Sequence, residues 1–229
     1  MEQTQINQFH ADLIFDFGEY LNSGLMSDCT LVFPDGRKIK AHKIILATSS
    51  KFLHDAFTSG MHEDTTGEVT ITFNPQNLLP QVIDFIYTSL IEITDENCMP
   101  LIEISHFYGI QNLYDFIISK FTDVVSPSNI LHYVDICYNL ELNEALKVLV
   151  PFMARFYRSI PIEQFSDKLD IATFCHVLTI VANDPSFESD IVAELNTFLN
   201  GAQPNAEQKE ELDKLLILRT DLVKSKPSW

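Results

Sequence analysis

Hydrophobic and polar residues alternate from residue 29 onward, and this pattern predicts a β-hairpin. The first predicted strand has the order Cys29, Thr30, Leu31, Val32 and Phe33. Pro34 and Gly36 then occupy positions that are typical of a β-turn. In the return strand at residues 37–41, Ile39 and Ala41 share one face, so we expect one side of the hairpin to be buried and the other to face water.

The apolar period changes from that of a strand to that of a helix after Ala41. Two short helices are predicted, with a break at residues 48–50, and their apolar positions are Ile44, Ile45, Leu46, Phe52, Leu53, Ala56 and Phe57. Val69, Ile71 and Phe73 alternate with threonine and predict a third strand that joins the hairpin. Together these elements indicate an α+β fold with a small mixed sheet.

Proline residues indicate where two later helices start. With Asn77 and Asn97 as N-caps, Pro80 and Pro100 each fall at the third helical position. The backbone N–H that proline lacks is not needed there, because the first amides of a helix have no partner inside it. Both prolines are therefore predicted to lie in the first turn of a helix.

The chain from residue 126 onward has a helical pattern throughout. Ser126 as a cap and Pro127 at the first helical position predict a helix start. The next helix contains Pro151, which predicts a kink near Val150. The remaining segments are predicted as helices at 162–181 and 187–199, a linker at 200–205 and a last amphipathic helix at 212–222.

The stretch from Ser27 to Asp64 resembles the opening half of a BTB (POZ) domain. The matching residues are Asp28, Thr30, Leu31, Ala41, His42, Lys43, Leu46, Ala47, Ser50, Leu53 and Phe57. The chain after residue 126 is similar in pattern to a BACK domain, the helical module that follows BTB in Kelch-type adaptors. No Kelch repeats occur in the 229 residues.

This resemblance implies a division of the chain into three parts. Residues 1–125 are expected to form a BTB/POZ dimerisation domain, and residues 126–200 an all-α, BACK-like helical domain. Residues 201–229 would then hold the linker and the C-terminal amphipathic helix.

A stripe of large apolar residues near the start of the chain is a candidate dimer interface. Phe9, Leu13, Phe17 and Leu21 recur at every fourth position, with Ile14 and Tyr20 beside them, as in an amphipathic helix that ends at residues 22–24. Such a helix could simply pack on its own domain. The resemblance implies instead that it packs against a second copy of the chain across a two-fold axis.

The matched stretch also contains three polar residues with expected roles, which are His42, Asp28 and Lys43. A lone histidine beside an apolar helix is usually a hydrogen-bonded core residue, and we expect this of His42. By resemblance, Asp28 and Lys43 occupy the positions of a charged pocket near the BTB dimer axis. If both are buried they should be paired, because an isolated buried charge is costly.

The segment between Gly60 and Gly67 is a candidate partner-binding loop. In BTB proteins that recruit cullin-3, an apolar residue, any residue and then an acidic residue at this place dock on the cullin, and Met61 and Glu63 match that pattern. Phe57, one turn earlier, could extend the contact. The same pattern also arises by chance in an acidic chain. The first helical pair of a BACK domain adds a second cullin contact, which the resemblance suggests for residues 126–159.

Charge and hydropathy narrow the classes of partner. The net charge of -17 and the pI of about 4.6 disfavour a nucleic-acid surface, which needs clustered lysine and arginine. No apolar run reaches the ~18 residues of a membrane span, and residues 1–10 do not have the pattern of a secretory signal. The expected location is the cytoplasm, the nucleus or both.

The sequence contains no arrangement that is typical of catalysis or of metal binding. The four cysteines, Cys29, Cys98, Cys137 and Cys175, are far apart and are expected to be buried, reduced thiols. No cofactor or metal is expected, and no glycine-rich phosphate loop or activated nucleophile occurs. We therefore expect an interaction module and not an enzyme.

Two functions of the interaction class are compatible with these features. The first is a homodimeric adaptor that brings an unknown client protein to a cullin-3 RING ubiquitin ligase. The alternative is a homodimeric BTB scaffold or regulator that has no cullin contact.

Overall fold

Two units make up the chain, Met1–Val124 and Val125–Trp229. The computed structural model describes residues 17–60, 62–183 and 197–198.

A three-stranded sheet in the order β2-β1-β3 lies in the first unit. β1 (Cys29–Val32) pairs antiparallel with β2 (Lys38–Ala41) and parallel with β3 (Glu68–Thr70). Leu31 lies opposite Ile39 on one side and Val69 on the other, which confirms the predicted hairpin and its buried face. The third strand was predicted to continue to Phe73 but ends at Thr70. The Ile71 N–H still donates to the carbonyl of Val32, the last residue of β1, and the chain of β1 then leads into the turn at Pro34.

Eight helices lie in the described part of the first unit. They are α1 (17–23), α2 (Lys43–Ser49), α3 (Lys51–Thr58), α4 (His62–Thr66), α5 (Leu79–Thr88), α6 (Cys98–Tyr108), α7 (Gln111–Ser119) and α8 (Phe121–Val124), with a 3₁₀ turn at Pro75–Asn77. The two predicted short helices, α2 and α3, are confirmed. Ser50 separates them in an extended conformation, and its hydroxyl accepts the Leu53 N–H and donates to the Tyr108 carbonyl at 2.6 Å.

The core of this unit takes side chains from β1, α2, α6, α7 and α8. Its fully buried side chains include Leu31, Leu46, Leu101, Ile102, Ile104, Leu113, Ile117 and Phe121. α6 ends at Gly109, whose φ is +61°, and a Cβ there would lie 2.9 Å from the Cβ of Lys51. The close approach and the left-handed conformation both favour glycine at this position.

The predicted start of α5 is wrong by one residue and in its capping group. Pro80 occupies the second helical position, and the preceding cap is Leu78 and not Asn77. Asn77 belongs to the 3₁₀ turn with a φ of +58°. The side chain of Asn74 instead accepts the Leu79 N–H at 2.8 Å, so the asparagine that serves the helix start lies three residues earlier. By contrast, Asn97 precedes α6 as predicted, with Pro100 at the third position.

The second unit is helical throughout its described part. Its helices are α9 (Ile130–Asn139), α10 (Asn143–Arg155), α11 (Ile162–Lys168) and α12 (Ile171–Asn183), with a 3₁₀ turn at Tyr157–Ser159. α10 runs through Pro151. Phe198 is fully buried and stacks on Phe174 at 3.8 Å between ring centroids. The predicted helix at 187–199, apart from residues 197–198, the linker and the last amphipathic helix lie outside the described residues.

The predicted helix start at Ser126 is wrong. Residues 127–129 form a turn, and α9 begins at Ile130 with Asn129 as its cap. The Asn129 side chain accepts the Ser126 N–H at 2.8 Å, so this turn is closed by its own side chain before the helix starts. The four cysteines are all buried, as predicted.

Candidate protein-interaction site

His42 lies between β2 and α2 with every polar group bonded inside the first unit. Its backbone N–H donates to the Tyr87 hydroxyl at 2.8 Å, and its ring nitrogens lie 2.9 Å from the Tyr87 hydroxyl and from the Leu25 carbonyl. A carbonyl only accepts, so Nε2 carries the proton and Nδ1 accepts from Tyr87. Burial raises the pKa of the Tyr87 phenol, which keeps this donor protonated. His42 is the hydrogen-bonded core residue that the sequence predicted.

Asp28 and Lys43 meet, but not as a buried ion pair. Asp28 is exposed, and its Oδ1 accepts the backbone N–H of Lys43 at 2.7 Å, at the first turn of α2. The Lys43 ammonium instead donates to the Asp64 carbonyl oxygen at 2.8 Å and lies 3.9 Å from Asp64 Oδ1. It also lies 5.4 Å from the centre of the Phe57 ring. The charged partner of Lys43 within its own unit is therefore Asp64.

The segment predicted as a polar loop contains a short helix, α4. Five residues can form few bonds among themselves, yet three successive carbonyls of this helix are satisfied. Their donors are Thr66 Oγ1 for His62, the Gly67 N–H for Glu63 and the Lys43 ammonium for Asp64. The loop prediction is wrong because a threonine side chain and a distant lysine supply bonds that no local apolar pattern could indicate.

The three predicted cullin-binding residues have different settings. Phe57 is 6% exposed, so its ring packs below the surface and has little area to offer a partner. Glu63 is half-buried on α4. Met61 lies outside the described residues. The contact itself stays a prediction.

An exposed aromatic cluster on α3 and α6 was missed by the sequence reasoning. Phe52 and Phe107 are 39% and 43% exposed, and their ring centroids lie 5.7 Å apart. Phe73 stacks on Phe107 at 4.6 Å, and the Tyr108 hydroxyl donates to the Phe73 carbonyl. Helical spacing placed Phe52 with the other apolar helix positions. For Phe107, the signal in the sequence was its neighbour Tyr108, because two successive residues of a helix do not share one face.

The described part of the predicted dimer stripe is partly open to solvent. Phe17 and Tyr20 are 40% and 39% exposed, and Leu21 is half-buried. Leu25 and Met26, just after the helix, are also exposed. The other three residues of the stripe, Phe9, Leu13 and Ile14, lie outside the described residues. The dimer stays a prediction.

Among the described residues, no group of His, Cys, Asp and Glu side chains could hold a metal ion. Burial raises the pKa of the Cys29 thiol to about 12, so this cysteine is not a ready nucleophile at neutral pH. In the same part of the chain, no helix has the length and apolar character of a membrane span.

A groove of about 450 Å³ lies in the second unit, beside the start of α12. Three of its polar lining residues, Tyr138, Asp170 and Thr173, form hydrogen bonds within the fold. The Asp170 carboxylate accepts the Thr173 N–H at 2.7 Å, which caps the helix, and the Asp170 N–H donates to the Tyr138 hydroxyl at 3.3 Å. The hydrogen bonds of Asp170 are therefore those of a residue that caps the start of α12.

The first unit matches a known domain family. Residues 17–123 match the model of the BTB/POZ domain, so the chain contains a BTB/POZ domain with the predicted α+β fold. Among curated proteins, Kelch-like protein 7 of Rattus norvegicus is 24% identical over 160 residues, which are 68% of this chain and 27% of that protein. Kelch-like protein 2 of Homo sapiens is 30% identical over 109 residues, 47% of this chain and 18% of that protein.

Among the solved structures, the BTB domain of zebrafish PATZ1 is similar to this chain. It is 19% identical with a TM-score of 0.44, and the match covers 51% of this chain and 94% of that chain.

The similarity to Kelch-like protein 7 extends beyond the BTB domain. Residues 1–123 can supply at most 123 of the 160 aligned positions, so the alignment continues into the helical second unit. This agrees with a BACK-like region after the BTB domain. The chain spans about a quarter of the length of this relative.

Proposed function

We propose that this chain is a homodimeric BTB adaptor that recruits a client protein to a cullin-3 RING ubiquitin ligase. The BTB/POZ domain and the Kelch-like relatives support this class of function. The observation that carries the proposal is the setting of Glu63. It is half-buried on a short helix that directly follows α3, at the place where cullin-binding BTB domains have their acidic residue.

The surface around α3 and α4 suits a helical partner with apolar and basic side chains. Glu63 offers a carboxylate to a donor on the partner, and Met61 would supply an apolar anchor. α3 contacts both α4 and α6, so the exposed rings of Phe52 and Phe107 can widen the same surface. Phe57 supports this surface from below.

Reversing the charge of Glu63 tests the cullin contact. Glu63→Lys should weaken binding by ~2 to 5 kcal/mol, because it inverts one member of a charge pair, and each 1.4 kcal/mol is roughly tenfold in affinity. Met61→Ala should weaken it less. The measurement is calorimetric titration of each purified variant with a cullin-3 N-terminal domain.

Glu96→Lys is the matched control for this titration, because it makes the same charge change at an exposed acidic residue outside the segment. It should bind like wild type, and thermal melts of all variants should be close to that of wild type. Equal binding by wild type and both segment variants would contradict the assignment of Met61 and Glu63. Failure of wild type to bind would favour a BTB scaffold without a cullin contact.

The proposed dimer uses the stripe that includes Phe17 and Tyr20. Light scattering should give the mass of two chains, and Phe17→Asp should give the mass of one, because a carboxylate is costly to bury at a symmetric interface. Asn22→Asp adds the same charge on the same helix at an exposed polar position and should remain dimeric. A wild-type monomer at micromolar concentration would contradict the dimer, and unfolding of Phe17→Asp would show that Phe17 belongs to the core.

A further inference from the structure

Lys43 connects the start of α2 to the segment that carries Glu63. Its side chain is 27% exposed, and its ammonium donates to the Asp64 carbonyl oxygen at 2.8 Å. The same ammonium lies 5.4 Å from the centre of the Phe57 ring. It therefore contacts both α3, which precedes the segment, and α4, which forms most of it.

α4 is too short to be stable by itself. Forming the first turn of a helix is unfavourable, and isolated helices shorter than ~12 residues are marginal in water. The carbonyl groups at the C-terminal end of a helix carry partial negative charge, and a cation close to them is stabilising. Lys43 supplies such a cation from a residue 21 positions earlier in the chain.

Lys43 is itself held firmly at its backbone. Asp28 Oδ1 accepts its N–H at 2.7 Å, where α2 begins. Gly67, the residue after α4, packs against both Asp28 and Lys43. A Cβ at Gly67 would lie 2.8 Å from the Asp28 carbonyl oxygen and 3.6 Å from Lys43 Cε. The start of α2 and the end of α4 are thus held close to each other.

We propose that Lys43 is a positioning residue for the partner-binding segment, holding α4 folded so that Glu63 is presented to the partner. This inference rests on the proposed cullin contact. Lys43 acts through Asp64 and Phe57 and need not touch the partner. When only part of the population has the binding-competent conformation, the apparent affinity falls by that fraction. Loss of the ammonium therefore lowers cullin affinity without changing the residues of the interface.

The first test needs no partner. Hydrogen–deuterium exchange of the full chain compares wild type with Lys43→Met, which keeps the apolar stem and removes the ammonium. Residues 62–67 should exchange about fivefold faster in Lys43→Met, the equivalent of one favourable charge at a helix end. Lys51→Met is the matched control, because Lys51 forms an exposed ion pair with Asp55 within α3. Its exchange at 62–67 should equal that of wild type.

The second test uses the cullin-3 N-terminal domain. Lys43→Met should weaken binding by a similar factor, Lys43→Arg should recover part of the loss, and Lys51→Met should bind like wild type. In the double variant Lys43→Met/Glu63→Lys, the losses should be less than multiplicative, because both changes act on the same contact.

The outcomes separate this inference from the proposed function. Unchanged exchange at 62–67 in Lys43→Met would overturn the positioning role, whether or not the cullin binds. Faster exchange with unchanged cullin affinity would overturn it as well. If wild type does not bind the cullin domain, the proposed function fails, and the exchange measurement alone decides whether Lys43 orders α4.

Discussion

His42 and Lys43 are neighbours in the chain, but they stabilise two different regions of the first unit. His42 is buried and bonds to Tyr87 and to the Leu25 carbonyl, so all of its polar groups are used inside the fold. Lys43 is half-buried and sends its ammonium to α4 at the surface. One residue holds the core together, and the next holds a surface segment in place.

The backbone between β2 and α2 explains this division. His42 is extended, with a φ of -120° and a ψ of 118°, and α2 begins with the next residue. Successive side chains in extended backbone point to opposite sides. The change from strand to helix therefore directs one side chain inward and its neighbour outward. Adjacent positions of one dense motif thus stabilise the core and a surface segment.

The largest effect on stability should come from the His42 region. Tyr87→Phe removes the hydroxyl that pairs with both the backbone N–H and Nδ1 of His42. Each buried polar group left without a partner costs ~1 to 3 kcal/mol, so the loss of a partner for two groups should lower the free energy of unfolding by roughly 2 to 6 kcal/mol. Urea unfolding of the full chain measures this loss.

Tyr20→Phe is the control, since Tyr20 is exposed in the same unit and its loss of a hydroxyl should change stability by less than ~0.5 kcal/mol. An equally small change for Tyr87→Phe would show that His42 does not depend on this hydroxyl.

A smaller effect on stability is expected at Asp28, which binds the backbone of Lys43 directly after His42. Asp28→Ala removes the acceptor of the Lys43 N–H at the first turn of α2, and loss of such a helix-start acceptor typically costs ~1 kcal/mol. Asp28→Asn keeps an oxygen acceptor and should retain most of the stability. The same urea measurement checks both variants. A loss as large as that of Tyr87→Phe would mean that Asp28 supports the core as well as the helix start.

Much of the first unit could be predicted because local patterns dominate there. The alternation at Leu31, Ile39 and Ala41 predicted the hairpin correctly, since one face of the sheet is buried. Capping was harder to predict. Asn74 and Asn77 are both plausible helix-start residues, and the choice between them depends on the 3₁₀ turn that the chain makes before α5.

The candidate site was harder to predict than the fold. The sequence of α4, His-Glu-Asp-Thr-Thr, has no apolar period, and one of its bonds comes from Lys43. The resemblance placed Lys43 with Asp28, so the contact with Asp64 was not expected. Phe52 was grouped with the other apolar helix positions because helical spacing identifies apolar faces without showing what covers them.

The most direct test of the proposed cullin contact is a hydrogen-exchange footprint of the wild-type chain with and without a cullin-3 N-terminal domain. Binding should slow exchange in residues 57–67 and leave the amides around His42 and Tyr87 unchanged, because those are already protected in the core. Binding that protects other surfaces but not 57–67 would contradict the proposed contact, and so would an unchanged exchange pattern at saturating cullin.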